Sequence, residues 1–159
     1  MVAQYTPTTT RSGTALAARI VLTLLGAGGL IVGALLNWWN GMVGTDLTDK
    51  VLYQTTFTKA DKLVSSIGAV SILIGLVAVL GMVAASGWLT RLAGALGIVM
   101  FVLFAIQGYR MASSVSSEAH QVDVGAWVAL AGAVVAVIGG FLGRPAIVVA
   151  SRIVPEEEV

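Results

Sequence analysis

The 159-residue chain contains no cysteine and few charged residues. The absence of cysteine excludes disulfide bonds, thiol catalysis, palmitoylation and cysteine-ligated zinc or iron–sulfur sites. Charged residues make up 11% of the sequence, whereas a soluble domain carries about 25%. The formal net charge is +1, so the chain has no strong field to attract nucleic acid, and we expect no nucleic-acid partner.

Long stretches without any charged residue are the main positive feature of the sequence. Four predominantly apolar runs extend over Ile20–Leu36, Leu63–Ala85, Leu92–Tyr109 and Val124–Gly143. A bilayer core of about 30 Å requires ~20 apolar residues at about 1.5 Å per helical residue, and each run has about that length. The sequence therefore predicts an all-α membrane protein, an antiparallel bundle of four transmembrane helices.

The predicted organisation has three parts. Residues 1–14 are polar and rich in threonine, which predicts a flexible N-terminal arm. Residues 15–143 form the transmembrane domain, and residues 144–159 form a cytoplasmic C-terminal tail. The expected spans are about 15–39, 60–85, 91–110 and 124–143.

The first apolar run also resembles a secretory signal peptide, because Arg11 and Arg19 accompany its start. The run ends in Asn37-Trp38-Trp39-Asn40, which lacks the small residues that a signal peptidase requires. We therefore expect a retained first helix that Asn40-Gly41 terminates, with the Arg19 side chain extended toward the membrane interface.

The longest polar connection, residues 40–62, contains two local patterns. A period-2 pattern rich in β-forming residues predicts a short strand or hairpin over the membrane surface; in it Val51, Tyr53, Thr55 and Phe57 alternate with Leu52, Gln54, Thr56 and Thr58. Thr58-Lys59-Ala60-Asp61 has the spacing of a helix-capping box, so the second helix is expected to begin there. The tract Asp46–Lys62, with six charges, is either a solvated cover or a recognition surface.

Four spans place both termini on one side of the membrane. Basic residues are nearly balanced between the two sides, but two arginines accompany the start of the first helix, which favours cytoplasmic termini in the plasma membrane. The terminal-side set is Arg11, Arg19, Arg91, Arg144 and Arg152, and the opposite set is Lys50, Lys59, Lys62 and Arg110.

Aromatic residues cluster near the ends of the predicted spans. Amphipathic rings favour the depth of the lipid headgroups, so these residues are predicted to be interface anchors. They are Trp38, Trp39, Tyr109 and Trp127 at one interface and Trp88 at the other.

Small residues recur four positions apart in three of the predicted helices. They are Gly29 and Gly33 in the first, Ala93 and Gly97 in the third, and Gly139 and Gly143 in the fourth. This spacing lets helix backbones approach closely, which matters because lipid supplies no hydrophobic drive for association. We expect these faces to pack the bundle internally, with docking of another membrane protein as the alternative.

Groups suited to catalysis or coupled transport are scarce. The apolar runs contain no ionisable residue, which argues against a proton- or sodium-coupled transporter. His120, the single histidine, lies near Glu118 and Asp123, but a metal site needs three or four converging ligands. We therefore predict no enzyme activity, no metal and no cofactor.

Three features characterise the whole chain. Its spans are rich in Ala, Gly and Val, its first helix ends in Asn37-Trp38-Trp39, and its fourth begins with the segment Val124-Gly125-Ala126-Trp127-Val128-Ala129-Leu130. In these features it resembles the small four-span integral membrane proteins of high-GC Gram-positive bacteria. The topology is also similar to that of claudins, but the loop cysteine pair of claudins is absent, so their barrier function does not transfer. The bacterial resemblance implies an accessory subunit of a larger membrane complex, such as a respiratory one.

The sequence therefore leaves two alternative functions. The first is a non-catalytic structural or accessory subunit that packs against other integral membrane subunits through small-residue helix faces and through the polar segments Asp46–Lys62 and Ala146–Val159. The alternative is a small homo-oligomeric channel or permeation-related protein. Membrane lipids are expected partners in both cases.

Overall fold

Four α-helices dominate the computed structural model, which describes residues 13–55, 57–84, 87–114 and 122–142. The helices are α1 (Gly13–Leu35), α2 (Ile67–Val83), α3 (Gly87–Ser114) and α4 (Val124–Phe141). An antiparallel hairpin follows α1 and consists of β1 (Asn37–Trp39) and β2 (Met42–Val43). Two 3₁₀ turns, Asp49–Leu52 and Leu63–Ser65, lie between the hairpin and α2.

The four helices form a ring in which each packs against two neighbours. The order around the ring is α1, α2, α3, α4 and back to α1, and α1 barely contacts α3 across the centre. Small side chains occupy much of the buried interior, which lets the helix axes approach closely. The buried alanines are Ala27, Ala34, Ala78, Ala93, Ala126, Ala129, Ala133 and Ala136.

Three of the helices are long and apolar enough to cross a membrane. These segments are Thr14–Leu35, Gly87–Ser113 and Val124–Phe141. The remaining helix, α2, is equally apolar but has 17 residues. Large apolar side chains cover the outside of the helices, as expected for surfaces that face lipid. The prediction of a helical membrane protein is thus confirmed at the level of four helices and three spans of sufficient length.

Two predicted helix ends are wrong. The first helix ends at Leu35, not near residue 39, because Asn37–Trp39 continues as a strand. The second begins at Ile67, not near residue 60, because the backbone of the supposed capping box is engaged in the preceding loop. Ala60 N donates to Asp46 O at 2.7 Å, and Ser66 Oγ caps α2 by accepting from Ala69 N at 3.1 Å.

The strand predicted between Val51 and Thr58 is also wrong. Residues Asp49–Leu52 form a 3₁₀ turn after Thr48, whose Oγ1 accepts from Lys50 N. Val51 is fully buried beneath this turn and Phe57 stacks on Trp39, so the alternating pattern marks inward-facing side chains of a folded loop and not a pleated ribbon. The β-structure of this region is instead the hairpin that directly follows α1.

Candidate functional site

One end of the bundle carries a folded cover, which we call the cap (residues 36–55 and 57–66). It begins with the β1–β2 hairpin, whose two-residue turn is Asn40-Gly41, with φ angles of 46° and 77°. Both values lie in the left-handed region that this tight hairpin turn requires, and Asn-Gly is the sequence that best tolerates it. The turn signal was present in the sequence, where the same dipeptide was interpreted only as a helix terminator.

Asp123 fastens the hairpin to the start of α4. Its Oδ2 accepts a hydrogen bond from Gly41 N at 2.9 Å, and its backbone N donates to Trp38 O at 3.0 Å. Trp39 and Val122 extend this contact as an antiparallel bridge. Asp123 therefore has a structural partner, whereas Glu118 and His120, its neighbours in the sequence, lie outside the described residues.

An aromatic cluster of Trp38, Trp39, Phe57 and Phe104 fills the space beneath the cap. Trp39 stacks on Phe57 at 4.3 Å between ring centroids, and Trp38 meets Phe104 edge-to-face at 5.2 Å. Trp38 Nε1 also donates to Gly33 O at 2.7 Å, so the indole satisfies its polar atom inside the protein.

The prediction that Trp38 and Trp39 are lipid-interface anchors is therefore corrected. Their side chains are 0% and 2% exposed, because the hairpin turns the chain back over the bundle and directs both rings inward. Trp88, Tyr109 and Trp127 are exposed, as an anchor must be, and their placement at headgroup depth stays a prediction.

The remainder of the cap is tied down by backbone pairing. Leu47 bridges to Lys59 and Thr48 bridges to Ser66, while Ile67 N donates to Leu47 O at 2.9 Å. Leu47 is fully buried and anchors the loop to the helices. An ion pair of 3.2 Å joins Lys59 to Asp46, but both side chains are well exposed, so it adds little stability.

The outward face of the cap presents polar and apolar side chains together. Tyr53 is 63% exposed and Val64 is 85% exposed, and Leu63 is exposed beside it. The neighbouring exposed polar residues are Lys50, Gln54, Thr55, Asp61 and Lys62. We call this set the cap face. It is a mixed surface on a fixed backbone, which suits recognition of another molecule.

The small residues singled out from the sequence lie at contacts between helices. A Cβ added to Gly29 would lie 2.8 Å from Gly132 Cα, and one added to Gly33 would lie 2.7 Å from Ala129 N. These glycines therefore face α4. The alternative, in which this face of the first helix docks a partner protein, is wrong because α4 already covers it.

The other small positions that the structure describes also lie at helix contacts, most of them at contacts that involve α4. A Cβ on Gly97 would lie 2.8 Å from Ala133 Cβ, and one on Gly139 would lie 3.2 Å from Thr23 N. Ala93 is fully buried, and Gly143 lies outside the described residues. The sequence analysis did not single out Gly132, although Ala136 follows it at the same four-residue spacing, and a Cβ on Gly132 would lie 2.7 Å from Gly26 O and Leu30 N of α1.

Polar groups inside the bundle are few and lie mostly near its ends. Ser71 donates to Leu30 O at 2.8 Å, which satisfies its hydroxyl within the core. Gln107 is buried near the cap, one residue before Gly108, which contacts the Trp39 ring. In the part of the chain that the structure describes, no three His, Cys, Asp or Glu side chains come together as a metal site would require.

Comparisons with protein-family models, with curated proteins and with solved structures found no match for this chain. The features of this protein that bear on its function are the cap, the helix contacts and the charged residues.

Proposed function

We propose that this protein is a four-span membrane protein that acts as a non-catalytic accessory subunit of a larger membrane complex. Its fourth span would be α2, whose 17 residues correspond to about 26 Å of helix. The outward side chains Leu73, Leu76 and Leu80 would face lipid.

The cap face is the observation that carries the accessory-subunit proposal. A loop with no binding role does not need a rigid backbone, yet this one is fixed by bridges, buried side chains and the contact with Asp123. A preformed surface loses little conformational entropy when it binds, which favours stable association. Tyr53 would be its central contact, since exposed tyrosine is a frequent source of binding energy at protein interfaces.

The interior weighs against a channel along the axis of one bundle. Glycine and alanine bring α1 and α4 into backbone contact, and the aromatic cluster fills the capped end. A homo-oligomeric pore between copies of the chain is the competing proposal. In the proposed orientation both termini are cytoplasmic and the cap lies on the outer side of the plasma membrane.

The test is mild-detergent extraction from the native membrane, followed by a native gel and mass spectrometry of the co-migrating bands. We expect a stoichiometric large complex that Tyr53→Ala weakens. Tyr109→Ala is the matched control, because Tyr109 is also exposed but lies on the side of α3. Migration of the wild type only as a monomer or homo-oligomer would refute the proposal, and ion flux in reconstituted liposomes would then favour the pore.

A further inference from the structure

Arg19 lies inside the bundle, contrary to the prediction of a side chain extended to the interface. It is 5% exposed, although the residues on either side of it in α1 are exposed. Its Nε and Nη2 atoms are buried and have no hydrogen-bond partner in the structure. A guanidinium carries a positive charge and five N–H donors, so its burial requires an anion or several acceptors.

The contacts between α1 and α4 show where along the bundle Arg19 lies. Gly29 faces Gly132, Gly26 faces Ala136, and Thr23 faces Gly139, so the helices run antiparallel. Arg19 is one turn before Thr23 and on the same side of α1. It therefore lies one turn beyond the contact between Thr23 and Gly139, where α4 ends, at the end of the bundle opposite the cap.

A second arginine lies on the other side of the last turn of α4. Arg91 Nε donates to Gly140 O at 2.8 Å, and the guanidinium carbon lies 4.3 Å from the centroid of the Phe141 ring. Gly139 thus faces α1 and Gly140 faces α3. Arg19 and Arg91 together form what we call the basic end.

In the described residues, the basic end has no carboxylate to pair with its two guanidinium groups. The acidic side chains in the described residues are all in the cap or at the start of α4, and they are Asp46, Asp49, Asp61 and Asp123. Two hydroxyls at the basic end, those of Thr23 and Thr90, are also buried without a partner. The carbonyl groups at the end of α4 supply a partial negative charge of about half a unit, which is too little for two guanidinium groups.

We propose that Arg19 binds the phosphate group of an anionic membrane lipid, and that Arg91, on the other side of α4, adds positive charge to the same end of the bundle. The planar guanidinium fork matches two phosphate oxygens, and basic sites between transmembrane helices bind acidic lipid headgroups. Leu16 and Ile20 are exposed and apolar beside Arg19, so the acyl chains would lie on the outside of α1. This site is independent of any partner subunit, because it lies at the end opposite the cap face.

The experiment measures thermal unfolding of the full-length protein in neutral detergent while lipid is added. Phosphatidylglycerol should raise the melting temperature of the wild type, whereas phosphatidylcholine and inorganic phosphate at equal concentration should not. Arg19→Gln should weaken the apparent affinity for phosphatidylglycerol by about tenfold or more. Arg19→Lys keeps the charge without the fork and should give an intermediate loss.

The lipid-free melting temperature provides a second readout. Arg19→Gln removes an unpaired buried charge, so the lipid-free variant should be at least as stable as the wild type. Arg110→Gln, an exposed arginine near the cap end of α3, should leave the lipid response within twofold of the wild type. An equal response of Arg19→Gln and wild type, or an equal response to phosphatidylcholine or inorganic phosphate, would overturn the proposal.

The acidic residues Glu156, Glu157 and Glu158 are the competing source of negative charge in the sequence. Their joint change to Gln should leave the lipid response and the lipid-free stability of the wild type unchanged. A loss of lipid-free stability that requires Arg19 would identify these carboxylates as its partner and would overturn the lipid site. Neither result depends on whether the native gel reveals a larger complex.

Discussion

Adjacent glycines in α1 offer a direct test of the close contact between α1 and α4. A Cβ at Gly29 would lie 2.8 Å from Gly132 Cα, so the two helices must separate to accept Gly29→Ala. A Cβ at Gly28 would meet no atom within 4 Å, so Gly28→Ala is sterically free. The two changes add the same methyl group one residue apart, and they differ only in what the methyl contacts.

The expected magnitudes follow from two opposing effects. Alanine favours helix over glycine by about 1 kcal/mol in water, and both variants gain this term to the same extent. Overpacking against a backbone costs about 1–3 kcal/mol, and only Gly29→Ala incurs it. Gly28→Ala should therefore be neutral or stabilising, Gly29→Ala should be destabilising, and the two should differ by roughly the overpacking cost.

Unfolding in mild detergent by added sodium dodecyl sulfate, followed by circular dichroism, measures this difference. The comparison removes the general effect of a methyl group in α1, because both variants share the helix and the detergent. Equal unfolding midpoints for the two variants would refute the close contact. A partner-docking role of Gly29 would instead leave the isolated bundle unaffected and reduce only co-purification with other proteins.

Two further predictions concern the cap. Asp123→Ala removes the acceptor of Gly41 N, a hydrogen bond to a charged group, and should lower the free energy of unfolding by about 1.5–3 kcal/mol and speed hydrogen exchange in the hairpin. Asp123→Asn keeps an acceptor oxygen and should lose less, so equal losses would contradict the assigned bond. Lys59→Ala removes the exposed ion pair with Asp46 and should change the same free energy by under about 0.5 kcal/mol, with little dependence on salt.

The helices were largely predictable because each is a long apolar run without charge. The start of α4 at Val124 agrees with the predicted span, and α3 continues beyond the predicted residue 110 to Ser114. Membrane helices satisfy all their backbone groups internally, so their presence follows from local composition. Pairwise packing was also partly predictable, since four-residue spacing of small residues located Gly29, Gly33 and Gly97 at contacts.

The cap was predicted poorly because distant residues determine it. Thr58-Lys59-Ala60-Asp61 has a local signal for a helix start, but its backbone pairs with residues 46–48 of the same loop. Likewise, the direction of the Trp38 and Trp39 side chains depends on the bond between Gly41 and Asp123, 82 residues apart. Periodicity reports which side chains share a face, and it contains no information on such long-range partners.

The buried position of Arg19 was missed for a related reason. Its place beside an apolar run indicates a residue at a membrane boundary, and long basic side chains usually extend to the headgroups from there. The antiparallel contact with α4 instead places Arg19 on the inward side of α1, one turn beyond the contact between Thr23 and Gly139. Only the helix pairing, which the sequence does not state, identifies the inward side.

The bond between the hairpin and Asp123 also dictates an order of assembly. The hairpin is synthesised directly after α1, but Asp123, which accepts the hydrogen bond from the hairpin, directly precedes the last helix. Until α4 emerges and joins the bundle, Gly41 N lacks its acceptor and the Trp38 ring lacks its contact with Gly125 at the start of α4. Closure of the hairpin is therefore a late event in biogenesis, and it distinguishes a completely inserted chain from one that stopped after three helices.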